Sequence, residues 1–153
     1  MSGYDSRADT LAHIHAVRDR LERFATELLA RGRVHDASKF SPAEKPVLDE
    51  VLPLLVGVAY GSAEWQAVLD RAKPLLEHHY RHNSHHPEFY PEGIAGMDLF
   101  DVVEMLCDWM AAALRNPADG VKLDHNVRLF GIEPQLARIL ANTLARWPGR
   151  SAD

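Results

Sequence analysis

Met97-Asp98-Leu99-Phe100-Asp101-Val102-Val103-Glu104-Met105-Leu106-Cys107-Asp108-Trp109-Met110-Ala111-Ala112-Ala113-Leu114 is the stretch on which the fold turns. Leu99, Val102, Val103, Leu106, Cys107 and Met110 recur at helical spacing, which puts them on one face. Phe100, Met105, Trp109 and Ala111 to Ala113 make much of the remaining surface apolar too. A helix apolar nearly all round belongs at the centre of a domain. Asp98 is placed to cap its start. Its polar exceptions, Asp101, Glu104 and Asp108, share one narrow strip. Cys107 reads as a small buried hydrophobe rather than a nucleophile.

Working outward, residues 9–31 read as one long helix carrying Leu11, Ile14, Val17, Leu21, Phe24 and Leu28. Asp9 or Thr10 can cap it and Gly32 can end it. On a helical wheel His13 lies about 80° from the centre of that stripe and His15 about 120°. His13 can therefore point into the edge of a core, while His15 faces water. Ser41-Pro42-Ala43-Glu44 has the form of a capping box: Ser41 as N-cap, Pro42 at the first helical position, Glu44 reaching back. Glu44 is read there as a cap. The apolar run of residues 47–60 is broken by Pro53, and residues 62–82 read as a third long helix in which Pro74 threatens a kink. Pro87, Pro91, Gly93 and Gly96 enforce an irregular loop. Helices over 117–130 and 134–147 follow, stopped by Gly131 and Pro148. Nothing reads as a strand. The expectation is an all-α, bundle-like domain of five to seven helices over residues 9–148, with a poorly ordered N-terminus (1–8) and a tail (149–153).

A chain of 153 residues suits one domain with a real core. The formal charge of −5, with no Lys/Arg run, argues against nucleic acid and anionic membranes as partners. The single Cys107 excludes an intramolecular disulfide framework and fits a reducing compartment. The N-terminus lacks the apolar core of a signal peptide, and no apolar run approaches the roughly 20 residues needed to span a bilayer. A cytoplasmic protein is expected. Oligomeric state is not legible; the final apolar helix suits a core or a dimer interface equally.

The chemistry concentrates elsewhere. Five of the nine histidines, His78, His79, His82, His85 and His86, fall within one short stretch. Neutral imidazole is the commonest metal ligand. With His13, the adjacent pair His35-Asp36, and Glu104 one turn from Asp108, the chain offers nitrogen and oxygen donors suited to Mn, Fe, Zn or Ni. A hydrolytic site would keep one position open for water. Each piece also has a plainer reading. His35-Asp36 can be a chance neighbour pair. Glu104 and Asp108 can lie on a solvated face. Histidines near a helix C-terminus are favoured by the helix dipole alone.

In order and helical setting, His13, His35-Asp36, the clustered histidines and Asp108 resemble the HD-domain superfamily of metal-dependent phosphohydrolases. His35-Asp36-Ala37-Ser38-Lys39 matches the His-Asp-x-x-Lys form of its cyclic-dinucleotide-cleaving branch. More closely, the chain resembles a family of small bacterial and phage proteins of unassigned activity. That resemblance rests on residues 35–40 (His-Asp-x-Ser-Lys-Phe), 83–88 (Asn-Ser-His-His-Pro-Glu) and 104–109 (Glu-Met-Leu-Cys-Asp-Trp). The superfamily resemblance implies that His13, His35, Asp36 and Asp108 hold a first metal. Two of His79, His85 and His86 would hold a second metal or contact phosphate, with Asp36 bridging. Lys39 would meet a phosphoryl oxygen or assist the leaving group. Glu104 would be a ligand, a base or a partner orienting a histidine. The implied activity is hydrolysis of a small phosphorylated molecule, a nucleotide above all. Di-iron oxygen chemistry, which some members of the superfamily perform, and a non-catalytic metal-stabilised interaction protein are the alternatives.

Overall fold

The computed structural model describes residues 4–59, 61–114 and 120–147. The protein is all-α, with six α-helices, short 3₁₀ turns and no strand among the described residues. Its backbone contacts divide it into two compact units, Met1–His35 and Asp36–Asp153. Residues 1–3 and the tail from 148 lie outside the described residues.

The first unit is one helix, α1 (Arg7–Val34). It begins before the expected Asp9, with Ser6 at the N-cap, and it does not stop at Gly32. One interior glycine costs only about 1 kcal/mol of helix propensity. Arg31 and Arg33 in the last turn favour continuation by complementing the helix dipole. None of its residues is buried, and Leu11, Ile14, Val17 and Leu21 are exposed. His13 and His15 are both exposed.

The second unit opens with a 3₁₀ turn, Ala37–Phe40, and then α2 (Lys45–Val51). The expected capping box is absent. Glu44 occupies the N-cap position with no side-chain capping bond, and Ser41 Oγ is buried without a hydrogen-bond partner. The box fails because the Glu44 carboxylate is engaged by histidines of the next long helix. Pro53 does end α2, in a 3₁₀ turn over Leu52–Leu55. In α3 (Ala63–His82), Ser62 Oγ accepts from the Trp65 amide at 3.1 Å, and the helix runs through Pro74. Its buried positions are Val68, Ala72, Leu75 and His79, one continuous stripe. Val68 and Ala72 pack with Val51 of α2 in a small core.

The larger core belongs to α4 (Leu99–Ala113), α5 (Leu123–Phe130) and α6 (Pro134–Arg146). Val102, Met105, Leu106, Ile132 and Leu140 are its buried centre. Asp98 caps α4 in a reciprocal box with Asp101, and Gly131, in the left-handed region at φ 61°, ends α5, both as the sequence suggests. The proposed start of α5 near Pro117 lies outside the described residues.

α4 is central, but its buried face is not the one the apolar pattern marks. Asp101, Val102, Met105 and Leu106 are buried. That arc is turned about 100° round the helix, toward the acidic strip. Leu99 is left 62% exposed while Asp101 is 2% exposed. Cys107 is exposed, correcting its reading as a core residue. Partial burial of the sulfur and the nearby Glu104 carboxylate push the thiol pKa up, which disfavours a nucleophilic thiolate. Among the described residues, no helix is long and apolar enough to cross a membrane.

Candidate metal centre

The second unit gathers three short pieces of chain around one point. Asp36 comes from the turn that opens the unit. It is the only non-glycine with positive φ (57°) among the described residues. Aspartate tolerates the left-handed region better than most side chains, and such conformations recur where function demands them. The turn is closed by the Lys39 amide donating to the Asp36 carbonyl at 2.9 Å, and Lys39 Nζ ion-pairs with Asp36 Oδ2. His79 comes from the last turn of α3. His85 and His86 come from the loop beyond it.

That loop is held from both ends. Asn83 leaves the helix in an extended conformation, its amide nitrogen donating to Ser38 Oγ (2.7 Å) and to the His79 carbonyl (2.8 Å). Further on, Ser84 Oγ and Tyr90 OH each donate to the buried Asp101 carboxylate at 2.6 Å. Asp101, seen in the sequence only as part of a polar strip, thus anchors the histidine loop to α4.

At the centre, Asp36 Oδ1 lies 3.2 Å from His79 Nε2 and 3.4 Å from His85 Nε2. His79 Nε2 is 3.0 Å from His86 Nε2. One donor atom from each of Asp36, His79, His85 and His86 falls within 4.8 Å of all the others. The far sides of two rings face carboxylates: His79 Nδ1 lies 2.9 Å from Glu44 Oε2, and His85 Nδ1 lies 3.2 Å from Glu104 Oε1.

These contacts dictate the protons. An ionised carboxylate only accepts, so Glu44 and Glu104 place hydrogens on the Nδ1 atoms of His79 and His85. Nε2 of each then turns toward the Asp36 oxygen and toward the other imidazoles. A single N–H can point at only one acceptor, whereas a cation at the centre is shared by all four donors. The separations also fit. Ligand atoms about 2.1 Å from an ion stand about 3 to 3.5 Å apart. His86 is held neutral and able to ligate: burial, then the neighbouring His85 and His79, push its pKa down to about 3. Asp36 stays ionised. Burial opposes this, but contacts from His79, His85 and Lys39 outweigh it and hold its pKa far below the ordinary carboxylate value. The buried His/Asp group therefore has the donor set and spacing to bind a metal ion.

Of the residues singled out in the sequence, Asp36, His79, His85 and His86 are brought together. Lys39 stands beside them through Asp36, and Glu104 is placed behind His85 as an orienting partner. Asp108, half-buried one turn along α4, offers an oxygen within 4.8 Å of a His85 nitrogen. His35 closes α1 as its C-cap and ends the first unit, in which His13 is exposed. His82 is turned out of the cluster; its ring stacks on His78 and its Nδ1 bonds the His78 carbonyl at 2.7 Å. The residue that sequence reasoning missed is Glu44, 0% exposed and bonded to both His78 and His79. The only available signal was the surplus of imidazoles, since a buried histidine needs an acceptor for its second nitrogen.

The family model that matches residues 2–146 is described as a family of unknown function, DUF5662. The chain belongs to DUF5662. The match takes in all three motifs, from His35 to Trp109, and every residue of the cluster. No curated protein and no solved structure matches the chain. In this DUF5662 chain the chemistry rests on the side chains of the site.

Proposed function

We propose that the protein is a metal-dependent phosphohydrolase acting on a small phosphorylated substrate, with a nucleotide as the favoured class. The observation that carries this reading is the convergence of Asp36 Oδ1 with the imidazoles of His79, His85 and His86. Those four residues would hold Mn, Fe, Ni or Zn. When bound, such an ion supplies Lewis acidity and a water of lowered pKa. Lys39, its side chain 39% exposed, can meet a phosphoryl oxygen while still paired with Asp36, lowering the cost of charge on the transferring group. Glu104 keeps the His85 ring aimed at the centre. The resemblance to HD-domain phosphohydrolases points the same way.

A second reading is favoured by the count of donors. Four protein ligands fill a tetrahedral zinc site and leave no place for substrate, as in structural zinc centres. A six-coordinate ion in the same four-residue cage keeps two positions open. Metal identity therefore separates the two readings. Elemental mass spectrometry of the purified protein beside Asp36→Ala, followed by turnover on nucleotides and simple phosphoesters, is the test. The expected result is a stoichiometric Mn, Fe or Ni content that is lost in the variant, together with metal-dependent phosphate release. Stoichiometric zinc without turnover supports the structural clip. A wild-type protein that takes up no metal even on reconstitution overturns both.

A further inference from the structure

We propose that Glu44 and His78 form a positioning strut outside the metal-binding group, in which the carboxylate, anchored on His78, fixes the ring of His79 with its Nε2 toward the centre. The proposal rests on the metal reading above and deepens it by assigning roles to two residues that are not themselves ligands.

Glu44 is the most completely buried carboxylate of the described residues, at 0% exposure. A buried carboxylate is costly unless its oxygens are satisfied. Here both are: Oε1 lies 2.8 Å from His78 Nδ1 and Oε2 lies 2.9 Å from His79 Nδ1. Ser38 adds a further hydrogen bond to the same group. The two histidines are neighbours on α3 yet differ in setting. The His79 side chain is buried and faces Asp36 and His86, whereas that of His78 is 31% exposed and faces no member of the cluster. The competing contacts at His79 Nδ1 are the Asn83 amide at 3.1 Å and Ser38 Oγ at 3.2 Å, but both amide hydrogens are committed, to Ser38 Oγ and to the His79 carbonyl, and the one Ser38 hydroxyl hydrogen is committed to Glu44. Nδ1 of His79 therefore donates to Glu44.

Partners of this kind set ring orientation and tautomer in metal sites, and their loss typically weakens metal binding 10- to 100-fold. Glu44 differs from a simple histidine–carboxylate pair in being held by a second imidazole. With His78 donating to Oε1, the carboxylate cannot swing away from His79 without breaking two bonds. The strut also uses the backbone: α3 delivers both imidazoles from adjacent positions, and the turn before α2 delivers Glu44.

The test uses the full chain and two independent readouts. In long-range ¹H–¹⁵N spectra of the metal-free protein, His78 and His79 should carry hydrogen on Nδ1. In Glu44→Gln, whose amide offers one acceptor and one donor, His79 should shift toward the Nε2–H form. By chelator competition with Zn²⁺ and Mn²⁺, Glu44→Gln should bind roughly 10- to 100-fold more weakly. His78→Leu should also bind more weakly. His78→Gln, which keeps an N–H donor for Glu44, should recover most of the loss. Thermal unfolding by circular dichroism checks that each variant is folded. If Glu44→Gln does not fold, the His78 pair carries the test alone. An Nε2–H tautomer of His79 in the wild type overturns the strut. So does wild-type affinity in a folded Glu44→Gln, and so does equal loss in His78→Leu and His78→Gln, which would mean packing rather than hydrogen bonding. If the wild type binds neither metal, the hydrolase reading falls by itself. The strut is then decided by whether the Nδ1 hydrogen of His79 depends on Glu44.

Discussion

Replacing Asp101 with alanine should cost the fold about 3–5 kcal/mol. Asp101 is 2% exposed and takes hydrogen bonds from Ser84 Oγ and Tyr90 OH at 2.6 Å each and from the Asp98 amide at 3.1 Å. Hydrogen bonds to a charged group contribute about 1.5–3 kcal/mol each, and donors left buried without an acceptor add desolvation cost. Loss of half a capping box costs about 0.5–2 kcal/mol more. These terms overlap, since all three bonds share one carboxylate, so the expected loss lies near the lower end of their sum. Against a total stability of about 5–15 kcal/mol, the loss is large. Equilibrium urea unfolding followed by tryptophan fluorescence reads it as a fall in midpoint at unchanged slope. Asp101→Asn, which keeps one acceptor oxygen, should lose only about 1–2 kcal/mol. An alanine variant within about 1 kcal/mol of wild type would mean that Asp101 is not what anchors the histidine loop to α4.

Other perturbations probe the same scaffold. Burial, together with hydrogen bonding to Asp101, pushes the Tyr90 pKa up to about 12 from an ordinary value near 10. A raised folded-state pKa stabilises the fold fully below pH 10 and loses that contribution as pH rises toward 12. Urea midpoints should therefore fall over that window, and by less in Tyr90→Phe. A Cβ at Gly96 would meet Tyr90 Cβ at 2.8 Å, an atom fixed to the backbone. Gly96→Ala should thus destabilise by about 1–3 kcal/mol, read as a drop in melting temperature. Met105, 1% exposed in the larger core, should cost about 2–5 kcal/mol on truncation to alanine, seen in the same urea experiment. His82→Ala, by contrast, should leave metal content unchanged by elemental analysis, because that ring is exposed and outside the cluster.

The all-α class was legible because helical periodicity and helix stops are local. Asp98 at the start of α4, Pro53 at the end of α2 and Gly131 after α5 all act through their own neighbours' backbone, so spacing alone reveals them. Gly32 shows the limit of such signals: a weak penalty of about 1 kcal/mol loses to the helix around it. Ser41 to Glu44 shows a deeper one. The pattern for a capping box is complete, yet the carboxylate is claimed by His78 and His79, more than thirty residues away. The rotation of α4 has the same origin. Leu99 looks like core and Asp101 like surface until Ser84 and Tyr90 supply the hydrogen bonds that make burying Asp101 tolerable. Cys107 follows that rotation onto the exposed side.

By itself the amino-acid sequence determined the all-α class and the concentration of imidazole in residues 78–86, while Asp36 as a partner of that stretch was an expectation carried by the family resemblance. Composition and short-range spacing are enough for the first two. Only the tertiary structure decided which histidines converge. His79, His85 and His86 meet Asp36 while His82 turns away, because the chain leaves the helix at Asn83 and the loop beyond is tied down through Ser84 and Tyr90. It also decided that Glu44 and Glu104 stand behind the ligands. A carboxylate's role depends on which donors reach it through space, and that information does not reside in its neighbours along the chain.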